Sequence, residues 1–230
     1  MNTAAHAGRP GSAEELGAPY QFENPRLSFV NAAGMANPVQ AADFERITLF
    51  SFGESLRRRA AGPPVVVLLT QWRGEPAFPS VPGRRALHPS VVAHLFAIGI
   101  PGYVAGRSLY VADAFGLADP VGSRLPILSR LRSGHEKALG TDWVLARFAR
   151  PGSATPGTTP QRVNAARSAL GCGQLRRLIR AVREPLSWGR FWSNVGEAWR
   201  LRSLRIPQDP REAETRFCTR RVQATSSPRR

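Results

Sequence analysis

The chain has 230 residues, 42% of them hydrophobic, enough to bury the core of one sizeable domain or two small lobes. Its formal charge of +16 is unevenly spread: residues 1–115 carry 10 basic and 8 acidic side chains, residues 116–230 carry 22 and 8. Such a balance raises nucleic acid or an anionic membrane surface as partners, although the near-exclusive use of arginine, with Lys137 the one lysine, is also what a GC-rich genome produces.

In chain order, residues 1–36 read as a flexible lead-in. Met1 to Tyr20 has no apolar periodicity, several Gly and Pro, and neither the basic nor the apolar region of a secretory signal, which predicts a disordered start and a cytoplasmic chain as written. Asp43 to Ala61, with Phe44, Ile47, Leu49, Phe50 and Leu56 at helical spacing, predicts a helix interrupted around Gly53. Val65 to Thr70 is the densest apolar run, far short of the roughly 18 residues of a membrane span, and reads as a strand. A Pro-rich loop, Pro76 to Pro89, leads to Ser90–Ile98, where Val91, Leu95 and Ile98 fall on one helical face. Ser108 to Ala112 reads as a second strand ending at Asp113. Strand, loop, helix and strand in that order predict a right-handed parallel βαβ unit, whose ligands bind beyond the strands' carboxyl ends. Asp113 is therefore a candidate binding residue, or else the cap of the next helix.

Beyond Gly116 the pattern turns helical. Thr141 is a plausible N-cap for a helix through Arg150, and a Ser/Thr/Pro/Gly linker to Thr159 divides an α/β lobe (37–150) from a helical lobe (160–218). Gln161–Leu170 and Gln174–Val182 form a helix pair broken at Gly171-Cys172-Gly173. Ser187 caps a helix on which Trp188, Phe191, Trp192, Val195 and Trp199 make one stripe. A core face packed on the preceding helix pair is favoured over a sugar-stacking platform. Asp209-Pro210-Arg211-Glu212 opens a last helix to about Cys218, and 219–230 is a basic tail, disordered at its end. The fold class is α+β: a small parallel α/β lobe followed by a helical lobe.

No Gly-rich phosphate loop, His-Glu-x-x-His or nucleophile elbow is present, and no cofactor or metal is expected. His135, in Gly134-His135-Glu136-Lys137, follows the basic stretch Arg130 to Arg132, and Gly116-Leu117-Ala118-Asp119-Pro120 is a turn that presents a carboxylate. Asp119, His135 and Glu136 join Asp113 as groups able to hydrogen-bond sugar hydroxyls or to orient a loop. Cys172 and Cys218 do not sit at zinc-ligand spacing. One bridge between them would tie the last segment onto the domain, and two buried thiols fit the sequence equally.

Several of these segments together carry a resemblance. Val111-x-Asp113, Gly116-Leu117-Ala118-Asp119-Pro120, Arg124-Leu125-Pro126, Gly134-His135-Glu136-Lys137 and Trp143-Val144-Leu145-Ala146-Arg147-Phe148 resemble the C-terminal domain of terminal β-(1→2)-arabinofuranosyltransferases. So do Ala169-Leu170-x-Cys172-Gly173-x-Leu175, Glu184-Pro185-Leu186, Gly189-Arg190-Phe191, the run from Arg205 to Glu214, and Phe217-Cys218, with Asn37 to Asp43 like the opening of that domain. The family is one of multi-spanning actinobacterial membrane enzymes that cap cell-wall arabinan, with the C-terminal domain outside the membrane. The resemblance implies a domain without the membrane-embedded catalytic half. It would be non-catalytic alone and would bind cell-wall arabinan or a membrane glycosyltransferase, with an anionic membrane surface as a further partner. It also places Cys172 and Cys218 where a disulfide could persist. A basic nucleic-acid-binding protein is the alternative, disfavoured because no nucleic-acid motif accompanies the charge.

Overall fold

The computed structural model describes residues 25–72, 75–128 and 134–218. The lead-in before 25, the Arg130 to Arg132 stretch and the tail after 218 lie outside the described residues. Two helices, α1 (Pro25–Ala33) and α2 (Thr48–Arg59), precede strand β1 (Val65–Val67). A hairpin of β2 (Thr70–Trp72) and β3 (Glu75–Ala77) forms its own two-stranded sheet. Then come β4 (Ser80–Pro82), β5 (Val91–Leu95), α3 (Gly99–Ala105) and β6 (Leu109–Asp113). The helical part holds α4 (Thr141–Phe148), α5 (Pro160–Leu170), α6 (Gly173–Arg183), α7 (Trp188–Leu201) and α8 (Pro210–Cys218).

The main sheet has the order β4-β1-β5-β6, with β1, β5 and β6 parallel and β4 antiparallel at one edge. The α+β class is as expected, but several local readings are corrected. Ser90–Ile98 is not a helix: Val91 to Leu95 is the central strand, buried at every position between β1 and β6. A short apolar run covered on both faces has no alternation to separate it from a helix, and only its two hydrogen-bonding neighbours decide the matter. The βαβ unit is therefore β5-α3-β6, and the expected strands β1 and β6 share the sheet without touching. The Pro-rich loop contains β3 and β4; Pro82 is tolerated because β4 is an edge strand. Gly53 does not interrupt α2. A Cβ there would stand 2.8 Å from Val104 Cβ and 3.0 Å from the Pro101 backbone, so glycine lets α2 lie close against α3.

Alternation along the strands divides the core between the two faces of the sheet. Val67, Val91, Ala93 and Leu95 face α2 and α3, clustering with Leu56 and Ala105. Val66, Val92 and Ala112 face α4, which is buried on all sides, from Asp142 to Phe148. The same cluster continues through Val163, Ala166 and Ala169 of α5, Leu175 and Leu178 of α6, and Ala213 of α8. The linker before α5 therefore does not interrupt the apolar core.

Ser187 caps α7 as the sequence placed it, accepting from the Arg190 amide at 3.2 Å, and Thr159, read only as the end of the linker, caps α5 by accepting from the Arg162 amide at 3.3 Å. At α4 the N-cap is Gly140, not Thr141, and the helix stops at Phe148. Cys172 and Cys218 are bonded, with Cα atoms 5.2 Å apart, joining the start of α6 to the end of α8. Gly173, at φ +47°, lets this junction close, since a Cβ would meet the Phe217 carbonyl oxygen at 3.1 Å.

A further correction concerns α7. Its aromatic stripe is not a core face: Trp188 is 81% exposed, Trp192 65%, Val195 51% and Trp199 70%. The helix packs instead through Arg190, Asn194, Glu197 and Leu201, the i, i+4, i+7, i+11 positions of the opposite side. Asn194 Nδ2 donates to the Ala181 carbonyl at 3.1 Å, Arg190 pairs with Glu184, and Glu197 lies 3.9 Å from Arg177. Periodicity revealed two faces, but the core beneath was already filled by α4, α5 and α8, so polar pairing with α6 decided which side turned inward.

Candidate functional site

The last residue of β6, Asp113, and the segment after it hold all four sequence candidates, and the structure separates them into two groups. Asp113 and Asp119 are buried, at 2% and 1% exposure. The Asp113 carboxylate accepts the amides of Phe115 at 2.9 Å and Ala118 at 2.8 Å, closing the turn after the strand rather than capping a helix. Asp119 Oδ1 accepts the amides of Val121 and Gly122, both at 2.9 Å. Its Oδ2 receives Arg147 Nη1 at 2.6 Å, while Arg147 Nη2 donates to the Tyr110 hydroxyl at 2.9 Å. Gly116, at φ +72°, stands so close to Gly122 that a Cβ would lie 2.6 Å from its backbone. These two carboxylates hold the loop in shape, with lone pairs committed to backbone amides and to one buried guanidinium.

His135 and Glu136 instead line a groove of about 520 Å³ at the carboxyl ends of the parallel strands. Phe96 follows β5, Phe115 follows β6, and His94 and Lys137 complete its polar lining. The His135 ring lies 4.1 Å from that of Phe115, inclined at 59°. The segment is pinned by the Leu128 amide donating to the Glu136 carbonyl at 2.7 Å, the Leu139 amide donating to the Ala114 carbonyl at 2.8 Å, and the Lys137 ammonium on the Ser123 carbonyl. Placement of a groove at this sheet edge follows from the parallel topology.

His94 was not among the sequence candidates. Burial pushes its pKa down to about 4, against opposing pulls from the Leu139 backbone and the carboxylates of Asp119 and Asp113. Neither ring nitrogen makes a hydrogen bond of ordinary geometry, so the Leu139 contact is a loose one. The ring is neutral at neutral pH. No motif surrounds it; only its position at the end of a central strand marks it.

Across the loop, Asp119 lines a separate cavity of about 310 Å³ with Tyr110, Ser123, Arg147 and Arg183. Arg147 and Arg183 lie over the Phe148 ring at 4.6 and 5.0 Å. Burial, then the neighbouring Arg147 and Arg84, lower the Arg183 pKa, and burial raises that of Tyr110. Arg147 was missed too, although an arginine inside the apolar run Trp143 to Phe148 is a readable sign of a buried ion pair. A larger cavity of about 790 Å³ between α1, α2 and α3 is lined by Phe29, Phe44, Phe50 and Ile98 and offers little chemistry beyond the Tyr103 hydroxyl. Among the described residues no cluster of side chains could hold a metal ion, and no helix is long and apolar enough to cross a membrane.

A mixed sheet backed by a wholly buried helix, with a loop-lined groove at its carboxyl edge, defines an α+β domain. Residues 68–216 match the AftB family C-terminal domain, and the chain belongs to that family. It is 29% identical over 199 residues to the terminal β-(1→2)-arabinofuranosyltransferase of Mycobacterium tuberculosis (strain H37Rv), covering 81% of this chain and 31% of that protein. Its identity to the protein of the same name from Corynebacterium glutamicum is 34% over 122 residues, 52% of this chain and 18% of that protein. The chain thus spans less than a third of the length of the curated relatives it matches. No solved structure matches it.

Proposed function

We propose that this arabinofuranosyltransferase-related domain is a non-catalytic glycan-binding module of cell-wall arabinan synthesis, holding arabinofuranosyl chains in the groove formed by Phe115, His135 and Glu136. The observation that carries the reading is that groove: an aromatic ring and an imidazole in contact, next to a carboxylate, at the carboxyl edge of the parallel strands. A furanose offers a weakly apolar ring face and several hydroxyls. The Phe115–His135 pair supplies a surface for the first and Glu136 an acceptor for the second. The nearby Asp113 and Asp119 are committed to backbone amides, so neither is placed to exchange a proton with a substrate. Transfer chemistry would then belong to the parts of the relatives that this chain does not match.

The test is an amide-shift titration with a β-(1→2)-linked arabinofuranosyl oligosaccharide. Shifts should concentrate at Phe115 and 134–137, and Glu136→Ala should weaken binding roughly tenfold, as loss of one hydrogen bond to a charged group does. Absence of shifts at millimolar oligosaccharide, or sugar transfer from a lipid-linked arabinofuranosyl donor by this chain alone, would overturn the reading.

A further inference from the structure

We propose that the outward aromatic face of α7 seats this domain on an anionic lipid bilayer. The starting observation is the inversion of the helix: its polar side is spent on α6 through Arg190, Asn194 and Glu197, and its apolar side faces water. Exposing three tryptophans, a phenylalanine and a valine in one row is costly in water, and a row that wide marks a contact surface. Leu186, 73% exposed, extends it just before the helix.

Two features select lipid as the occupant. The first is chemistry. Tryptophan, with an apolar ring and one N–H donor, concentrates at the membrane–water boundary, where the ring leaves water and the N–H stays hydrated. At 65–81% exposure the three indoles stand out as a ridge rather than lining a groove, a shape that sinks into a fluid headgroup layer without a matching pocket.

The second is charge. Between Gly173 and Arg205 there are eight arginines and two glutamates. Both glutamates are already paired, Glu184 with Arg180 and Arg190, and Glu197 with Arg177 and Arg200. The segment therefore presents net positive charge beside its aromatic row, which complements acidic headgroups. The Arg202 guanidinium lies 3.9 Å from the Trp199 ring centroid, so a cation sits directly at the end of the row. Such an arrangement, apolar ridge inward and arginines at headgroup depth, describes an interfacial helix lying parallel to the membrane.

The experiment is vesicle flotation of the full chain, with phosphatidylcholine alone and with added phosphatidylglycerol, together with tryptophan quenching by lipids brominated in the acyl chain. The chain should float with the anionic vesicles, and the brominated lipid should quench its emission. Replacing Trp188, Trp192 and Trp199 together by alanine should lower partitioning by about a thousandfold, since each buried ring contributes about tenfold. The replaced rings lie outside the core, so far-UV circular dichroism should not change, and replacement by phenylalanine should restore most of the binding. Arg200→Gln with Arg202→Gln should cut the preference for anionic vesicles about fivefold per arginine. The proposal is overturned if the triple alanine variant floats as well as the parent, which would mean adsorption by charge alone. It is equally overturned if the parent stays in solution while sedimentation shows a lipid-free dimer that the alanine variant abolishes, or if only nucleic acid retains it.

Discussion

Removal of the Asp119 carboxylate should unfold the domain more readily than any surface change, because one side chain holds three donors. In Asp119→Ala the amides of Val121 and Gly122 lose their acceptor, and Arg147, 3% exposed, keeps its charge with the Tyr110 hydroxyl as its remaining side-chain hydrogen-bond partner. Stranding one member of a buried pair costs about 3–5 kcal/mol, against a total of about 5–15 kcal/mol for a domain of this kind. The pair as such contributes much less, because both groups were desolvated to form it. Asp119→Asn combined with Arg147→Met should therefore be more stable than the sum of the two single changes, by on the order of 1–3 kcal/mol. Urea unfolding followed by far-UV circular dichroism on the parent, Asp119→Ala, both singles and the double variant gives all the terms. If Asp119→Ala shifts stability by less than about 1 kcal/mol, or the singles are additive, the buried pair is not the anchor of this loop.

Further outcomes concern the groove, the bridge and the glycines. His94, with its folded pKa depressed to about 4, is neutral when folded and charged when unfolded between pH 4 and 6.5. Its contribution is full above about pH 6.5 and is lost as pH falls toward 4, up to about 3 kcal/mol; His94→Leu should flatten the unfolding midpoint across that window, and an unchanged slope would refute it. Reducing the Cys172–Cys218 bridge, which spans 46 residues of sequence, should lower stability by up to about 4 kcal/mol on the chain-entropy account. Proteolysis under reducing conditions should then cut first in α6 to α8, leaving the sheet strands protected. Gly116→Ala, forced into a left-handed conformation against the Gly122 backbone, should cost about 2 kcal/mol or more, measured by thermal unfolding. Gly53→Ala should cost about 1–3 kcal/mol by wedging α2 from α3.

The groove and the α7 ridge make separable demands. Glu136→Ala should spare vesicle binding, and the triple tryptophan variant should spare the oligosaccharide shifts, because the two sets of residues belong to different parts of the fold: the loop after β6 and the outer face of α7.

Family membership was legible from the sequence, because it rests on the order of short segments from Val111 to Cys218 and not on how they pack. Helix positions after Thr159 were legible as well, since Ser187 caps through a hydrogen bond three residues away and Gly-Cys-Gly breaks a helix locally. What the sequence left open depended on contacts between distant residues. Val91 to Leu95 carries an apolar pattern that suits either a helix or a strand, and β1 and β6 on its two sides make it a strand. Gly53 reads as a breaker until α3 is laid against it. Asp113 reads as a ligand or a helix cap and Asp119 as an exposed carboxylate until the backbone amides of their own loop and Arg147, 28 positions away from Asp119, claim them. The α7 stripe shows most plainly where local reasoning stops: spacing determines that the helix has an aromatic side and a polar side, but which one faces the protein depended on the free energy of polar pairing with α6 over a core already full. Periodicity is a property of one helix, whereas inside and outside are properties of everything packed around it.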